Sequence, residues 1–152
     1  MYFDFLNLGV TVNLPKGTKL FNKDQSVKLF KMDKTMAKTQ LLHFASGDDK
    51  SNAMLFCLGE VRSNNDYKVA IEQFVSTSQK SGLKLFAVDK LMSTDGRRLD
   101  VQQLEGNPLN LLVVFSKINN RLFMLTNNHQ AEHETEALNF GLEIMKTLAP
   151  IK

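Results

Sequence analysis

Two histidines four residues apart are the first place to look for chemistry in this sequence. His129 and His133 fall in Asn127-Asn128-His129-Gln130-Ala131-Glu132-His133-Glu134-Thr135-Glu136. On a helix, positions four apart share a face, so two imidazoles and a carboxylate could converge on a zinc ion. His129, Glu132, His133 and Glu136 are therefore the metal-site candidate. Zinc needs three or four ligands and a hydrogen-bonded shell behind them, which spacing does not supply. The plainer expectation is a helix start: acidic residues in a first turn complement the helix dipole, and the histidines face solvent.

The remaining reactive side chains are scattered. Cys57 is the sole cysteine, so no internal disulfide can form. Its setting, Ala53-Met54-Leu55-Phe56-Cys57-Leu58, predicts a buried strand in which the thiol is a small hydrophobe. A nucleophilic thiol needs a base or a helix N-terminus beside it, and none is adjacent in sequence. His43, in Leu41-Leu42-His43-Phe44, reads as a strand residue on the more polar face. Asp48-Asp49, or Asp89 with Asp100, could pair in space, but loop acids usually form turns. No Gly-x-Ser-x-Gly elbow and no glycine-rich phosphate loop occurs. Phe30-Lys31 and Phe115-Ser116-Lys117 mix aromatic and basic residues as nucleic-acid-binding sheets do, yet the RNP pattern is absent and strand phenylalanines are usually core. The expectation is therefore no cofactor, no nucleic acid and no catalytic residue.

The elements that would position these groups follow from hydrophobic period. Val10-Thr11-Val12-Asn13-Leu14 alternates with period two, which predicts a half-buried strand ended by Pro15-Lys16-Gly17. Further strands are predicted at 26–32, 39–45 and 53–61, the last nearly all apolar and so central. After Ser63-Asn64-Asn65-Asp66, with N-cap candidates in the Asn/Asp cluster, the period becomes helical. Tyr67, Ala70, Ile71, Phe74 and Val75 share a face, and Gly82 stops the helix. Strands at 83–92 and 97–104 flank a turn at Ser93-Thr94-Asp95-Gly96. Residues 109–118 and 121–126 form a hairpin, because Asn119-Asn120 tolerates the positive φ of a type I′ turn. A final helix from about 131 to 149 puts Ala137, Leu138, Gly141, Leu142, Ile144, Met145 and Leu148 on one face, with Pro150 as its stop. Gly141 costs about 1 kcal/mol of helix propensity relative to alanine, which a close helix–sheet approach would explain.

Bulk properties bound the answer. The 152 residues fit one domain, 1–152, and 43% hydrophobic residues can build a core, so disorder is excluded as a description of the whole. The net charge of +3 is mild, and Lys16, Lys19, Lys23, Lys28, Lys31, Lys34 and Lys38 are spread through the first third. They read as a solvated edge that discourages strand aggregation, with an anionic surface or an acidic partner protein as alternatives. No apolar run approaches the ~20 residues of a membrane span. Met1-Tyr2-Phe3-Asp4-Phe5-Leu6 lacks a basic n-region and a cleavage site, so the chain is either cytoplasmic or a cell-envelope protein whose export signal was removed.

The order of these parts carries a resemblance. A strand ending Leu14-Pro15-x-Gly17, a helix ending before Gly82-Leu83, a strand pair, a long hairpin (Leu111–Phe115 to Arg121-Leu122-Phe123-Met124-Leu125-Thr126) and a terminal helix ending Leu148-Ala149-Pro150 resemble the Mog/PsbP-like fold family. That family includes extrinsic photosystem subunits, yeast Ran-binding relatives and uncharacterised bacterial envelope proteins. A tryptophan often follows the first Pro-x-Gly in that family, and this chain has none. The resemblance implies an α+β fold, an antiparallel sheet flanked by two or more amphipathic helices. It also implies a protein that binds partners rather than catalyses. The expected function is a non-catalytic binding or assembly module of bacterial type with a protein partner. The alternative is a small-ligand or metal-binding protein using the His129/His133 region or a sheet–helix pocket.

Overall fold

The alternation in Val10–Asn13 is realised as strand β2, with Val10 and Val12 fully buried and Thr11 and Asn13 half-buried. A computed structural model describes residues 1–21 and 34–152; the strand expected at 26–32 lies outside them. Before β2, Tyr2–Phe5 forms β1, which has no strand signal of its own and is held by antiparallel pairing to β2. Lys19–Leu20 is a short β3, followed among the described residues by helix α1 (Lys34–Thr39), β4 (Gln40–Ala45) and β5 (Asn52–Glu60). Helix α2 spans Asn64–Lys80. Strands β6 (Lys84–Met92), β7 (Arg98–Glu105), β8 (Asn110–Ile118) and β9 (Arg121–His129) then form a meander. A 3-10 turn (Ala131–His133), helix α3 (Glu134–Met145) and β10 (Ala149–Pro150) complete the chain.

Among the described residues the strands make two antiparallel sheets. Seven run in the order β3-β4-β5-β9-β8-β7-β6, and three in the order β1-β2-β10. The fold class is α+β, as the element pattern predicts. Asn119 and Asn120 take φ of 52° and 58°, as the type I′ link between β8 and β9 requires. Among the described residues, no helix is long and apolar enough to cross a membrane.

The seven-stranded sheet is the middle layer, because its strands are apolar on both faces. Leu112, Val114, Phe123 and Leu125 pack with Phe140, Ile144 and Met145 of α3 and with Val10 and Val12 of the small sheet. The residues between them, Val113, Phe115, Leu122 and Met124, pack on the opposite face with Tyr67, Ile71 and Val75 of α2. Gly141 lies where α3 crosses this sheet: a Cβ there would sit 3.0 Å from Leu112 Cδ2 and 3.1 Å from Leu125 Cδ2. The close approach is the reason for the glycine.

Two boundaries differ from expectation. The last helix is Glu134–Met145 rather than about 131–149. Residues 149–150 instead pair with β2, and Asn13 N–H donates to Thr147 Oγ1 (3.0 Å), so sheet pairing outcompetes the helical period. Strand β9 runs on to His129, three residues past the expected end, because β8 continues to pair with it through Asn110↔His129.

Candidate functional site

Helix α2 is capped at both ends. Ser63 is its N-cap, and its Oγ accepts from Asp66 N–H at 3.0 Å. The serine, not the neighbouring Asn/Asp cluster, takes this role. Asp66 in the first turn complements the helix dipole. Gly82, at φ 99°, ends the helix in a left-handed turn that a side chain would strain. Between the first half of α2 and strands β6–β8 lies a cleft of about 720 Å³.

The cleft floor is polar and paired. Strand β7 points Leu99 and Val101 toward α3, and Asp100, Gln102 and Leu104 toward α2. Asp100 is 4% exposed. Tyr67 O–H donates to its Oδ2 (2.7 Å), while Arg98 donates to Oδ1 through Nη2 (2.8 Å) and Nε (3.2 Å). A buried carboxylate is costly unless paired, and here both oxygens are occupied. Burial, then the hydrogen bond and charge of Asp100, push the Tyr67 phenol far above its ordinary range. Asp100 also raises the pKa of Arg98, chiefly by its hydrogen bond, so the guanidinium stays charged. Tyr67 is thus a fixed donor and Arg98 a fixed cation; neither is poised to exchange a proton near neutral pH.

Above this floor the walls are apolar and the rim cationic. Ile71 of α2 and Val88 of β6 face the opening. Lys68 comes from α2, Lys90 from β6 and Lys117 from β8, and among the described residues none of the three forms an ion pair. Such an arrangement can bind and orient a group.

No family model matches the sequence, and no curated protein matches it. The structure is similar to the solution structure of cyanobacterial PsbP (CyanoP) from Synechocystis sp. PCC 6803. The TM-score is 0.65 at 10% identity, over 99% of this chain and 91% of that one. It is also similar to the Saccharomyces cerevisiae Ran-binding protein Mog1p, with a TM-score of 0.52 at 10% identity over 100% of this chain and 95% of that one. This chain has the PsbP/Mog1 fold. At such identity the likeness is one of fold, and function must be argued from the site.

Within the PsbP/Mog1 fold the metal candidates are dispersed over three elements. His129 ends β9 and is buried; its Nδ1–H donates to the Asn127 carbonyl (3.2 Å). Glu132 belongs to the 3-10 turn, His133 caps α3, and Glu136 is exposed in the first turn of α3. His133 Nε2 and Glu132 Oε1 come within 4.0 Å. Helical spacing therefore does not apply to His129 and His133, because Gln130 and the 3-10 turn separate them. Among the described residues, no three His, Cys, Asp or Glu side chains are grouped to hold an ion.

The other candidates are also placed. Cys57 is half-buried in β5, and burial raises its pKa, which disfavours the thiolate. His43 lies on β4 but is buried rather than on a polar face; its Nε2 is 2.6 Å from Asn52 Oδ1. Asp89 sits opposite Val101 and Asp100 opposite Lys90, so the two acids point to different faces. Asp48 and Asp49 shape a turn: Asp48 accepts from Ser46 and Lys50, and Asp49 pairs with Lys19 at 2.8 Å. Phe115 is buried against Phe74, ring centroids 5.6 Å apart, and is unavailable for stacking. Phe30-Lys31 lies outside the described residues.

A sheet–helix pocket was among the expectations, but the residues that line this cleft were not singled out as a set. Its signal was Arg98-x-Asp100-x-Gln102, polar at period two around the apolar Leu99 and Val101. Such a pattern reads as a solvent face; burial of Asp100 and Gln102 beneath α2 is what makes it a floor.

Proposed function

We propose that the protein is a non-catalytic binding module whose partner is another protein and whose working surface is the cleft between α2 and strands β6–β8. The observation that carries this is the paired floor, Tyr67–Asp100–Arg98, beneath an open apolar and cationic mouth. A floor with every charge satisfied holds its shape without a ligand, so binding loses little to ordering. The shared fold with a Ran-binding protein supports the reading at the level of architecture.

The test is site-specific photocrosslinking in the native cell. A crosslinker replacing Val88, 52% exposed in the cleft wall, is expected to yield a discrete protein adduct. The same group at Asn139, exposed on α3, is the control. No adduct from Val88, or the same adduct from both positions, overturns the proposal.

A second reading is favoured by the cleft's volume. About 720 Å³ lies within the ~300–1,000 Å³ usual for small-molecule sites, so a small ligand is the alternative occupant. A Val88 crosslinker that captures only a low-mass adduct would support it.

A further inference from the structure

We propose that the occupant of this cleft is an acidic segment of the partner protein that also carries an apolar anchor side chain. The inference rests on the cleft being the binding surface and adds the chemistry of what it takes.

Charge is the first argument. Five cationic side chains line the cleft, Lys68, Lys90, Arg97, Arg98 and Lys117, against Glu72 and Asp100. Arg97 is engaged by Asp95 (2.7 Å) and Arg98 by Asp100 (2.8 Å), so the excess rests on the three lysines, with Glu72 the one lining carboxylate left to set against them. These come from α2, β6 and β8, far apart in sequence, and the fold gathers them around one opening. Asp100 adds little repulsion toward an incoming carboxylate, because the Arg98 guanidinium paired with it at 2.8 Å offsets its charge. Removing a partner's carboxylates would leave these lysines facing water, whereas carboxylates at the mouth give charge-assisted hydrogen bonds.

The second argument selects a protein segment over a small anion. On β6, Val88, Lys90 and Met92 stand opposite Gln102, Asp100 and Arg98, and so share the α2-side face. Val88 and Met92 are 52% and 61% exposed, an apolar–cationic–apolar stripe. The stripe extends from the cleft wall along the sheet's edge strand, beyond what a small anion would cover. A segment alternating acidic and apolar side chains matches it position for position. Nucleic acid fits less well: Tyr67 is 9% exposed and Phe115 is buried, so neither offers a ring for stacking.

The experiment is fluorescence anisotropy on the full chain with three labelled probes: a short Glu/Leu peptide, its Gln/Leu counterpart and oligothymidine. The Glu/Leu peptide is expected to bind, and to bind less tightly as salt rises. Combining Lys90→Glu with Lys117→Glu is expected to weaken it by about tenfold or more, whereas Lys50→Glu, in the exposed turn after β4, leaves it unchanged. Circular dichroism of each variant guards against unfolding. Equal binding of Glu/Leu and Gln/Leu, indifference to the lysine reversals, or tighter binding of oligothymidine each overturns the proposal. Its failure is separable from that of the cleft reading. A Val88 adduct in the cell that survives the lysine reversals leaves the cleft standing and removes the acidic partner.

Discussion

His129 holds its Nδ1 proton against the Asn127 carbonyl, and among the described residues its Nε2 has no hydrogen-bond partner. Burial is the main cause that lowers its pKa, against smaller raising effects from Asn127 and Glu134. The fold therefore favours the neutral imidazole. The unfolded chain takes a proton there near pH 6.5, while the native state resists it. Stability is thus unaffected well above pH 6.5, falls as pH drops below it, and levels off below the folded pKa. His43 shifts in the same direction for the same main cause. Urea midpoints measured between pH 7.5 and about pH 5 should decline, and His129→Gln should flatten part of that slope. An unchanged slope would show that His129 is not excluded from protonation. The His–x–x–x–His spacing was legible; the burial of His129 was not, because it depends on β9 continuing to pair with β8.

At the scale of the element, α2 shows how a short cap sets a site. Its first two turns carry Tyr67 and Lys68, one for the floor of the cleft and one for its rim. Ser63→Ala removes the side-chain acceptor for Asp66 N–H, at a cost of about 1 kcal/mol. The expected outcome is a lower urea midpoint at unchanged slope, with weaker binding in the cleft. An unchanged midpoint would mean that water caps the helix equally well. The helices and the hairpin were legible because their hydrophobic period and turn residues are local properties. Strand β1 and the end of α3 were not. Tyr2–Phe5 is a strand because β2 lies beside it, and residues 149–150 leave the helical pattern because β2 has a second edge to fill.

For the molecule as a whole, the two chain ends meet on β2. Ile151 N–H donates to the Gly9 carbonyl (2.9 Å), β10 pairs with Val10 and Thr11, and Arg97 donates to the Leu148 carbonyl. The small sheet covers the same face of the large sheet as α3, so the ends close one core layer. Removing residues 149–152 should lower stability by about 1–3 kcal/mol, a few net backbone hydrogen bonds. It should also speed hydrogen exchange in β2 more than in β8, because β8 keeps both neighbours. Uniform exchange rates would mean that β10 contributes nothing to holding β2.

From β4 to α3 the order of strands and helices, the Asn119-Asn120 turn and the nearly all-apolar run of β5 were written in the sequence, since each is carried by residues near one another in the chain. That pattern was enough to indicate an α+β fold of the PsbP/Mog1 kind. The cleft was decided by tertiary structure. Lys68, Lys90, Lys117, Tyr67 and Asp100 come from four elements with no shared motif, and only the crossing of α2 over the sheet makes their charges and burial interdependent.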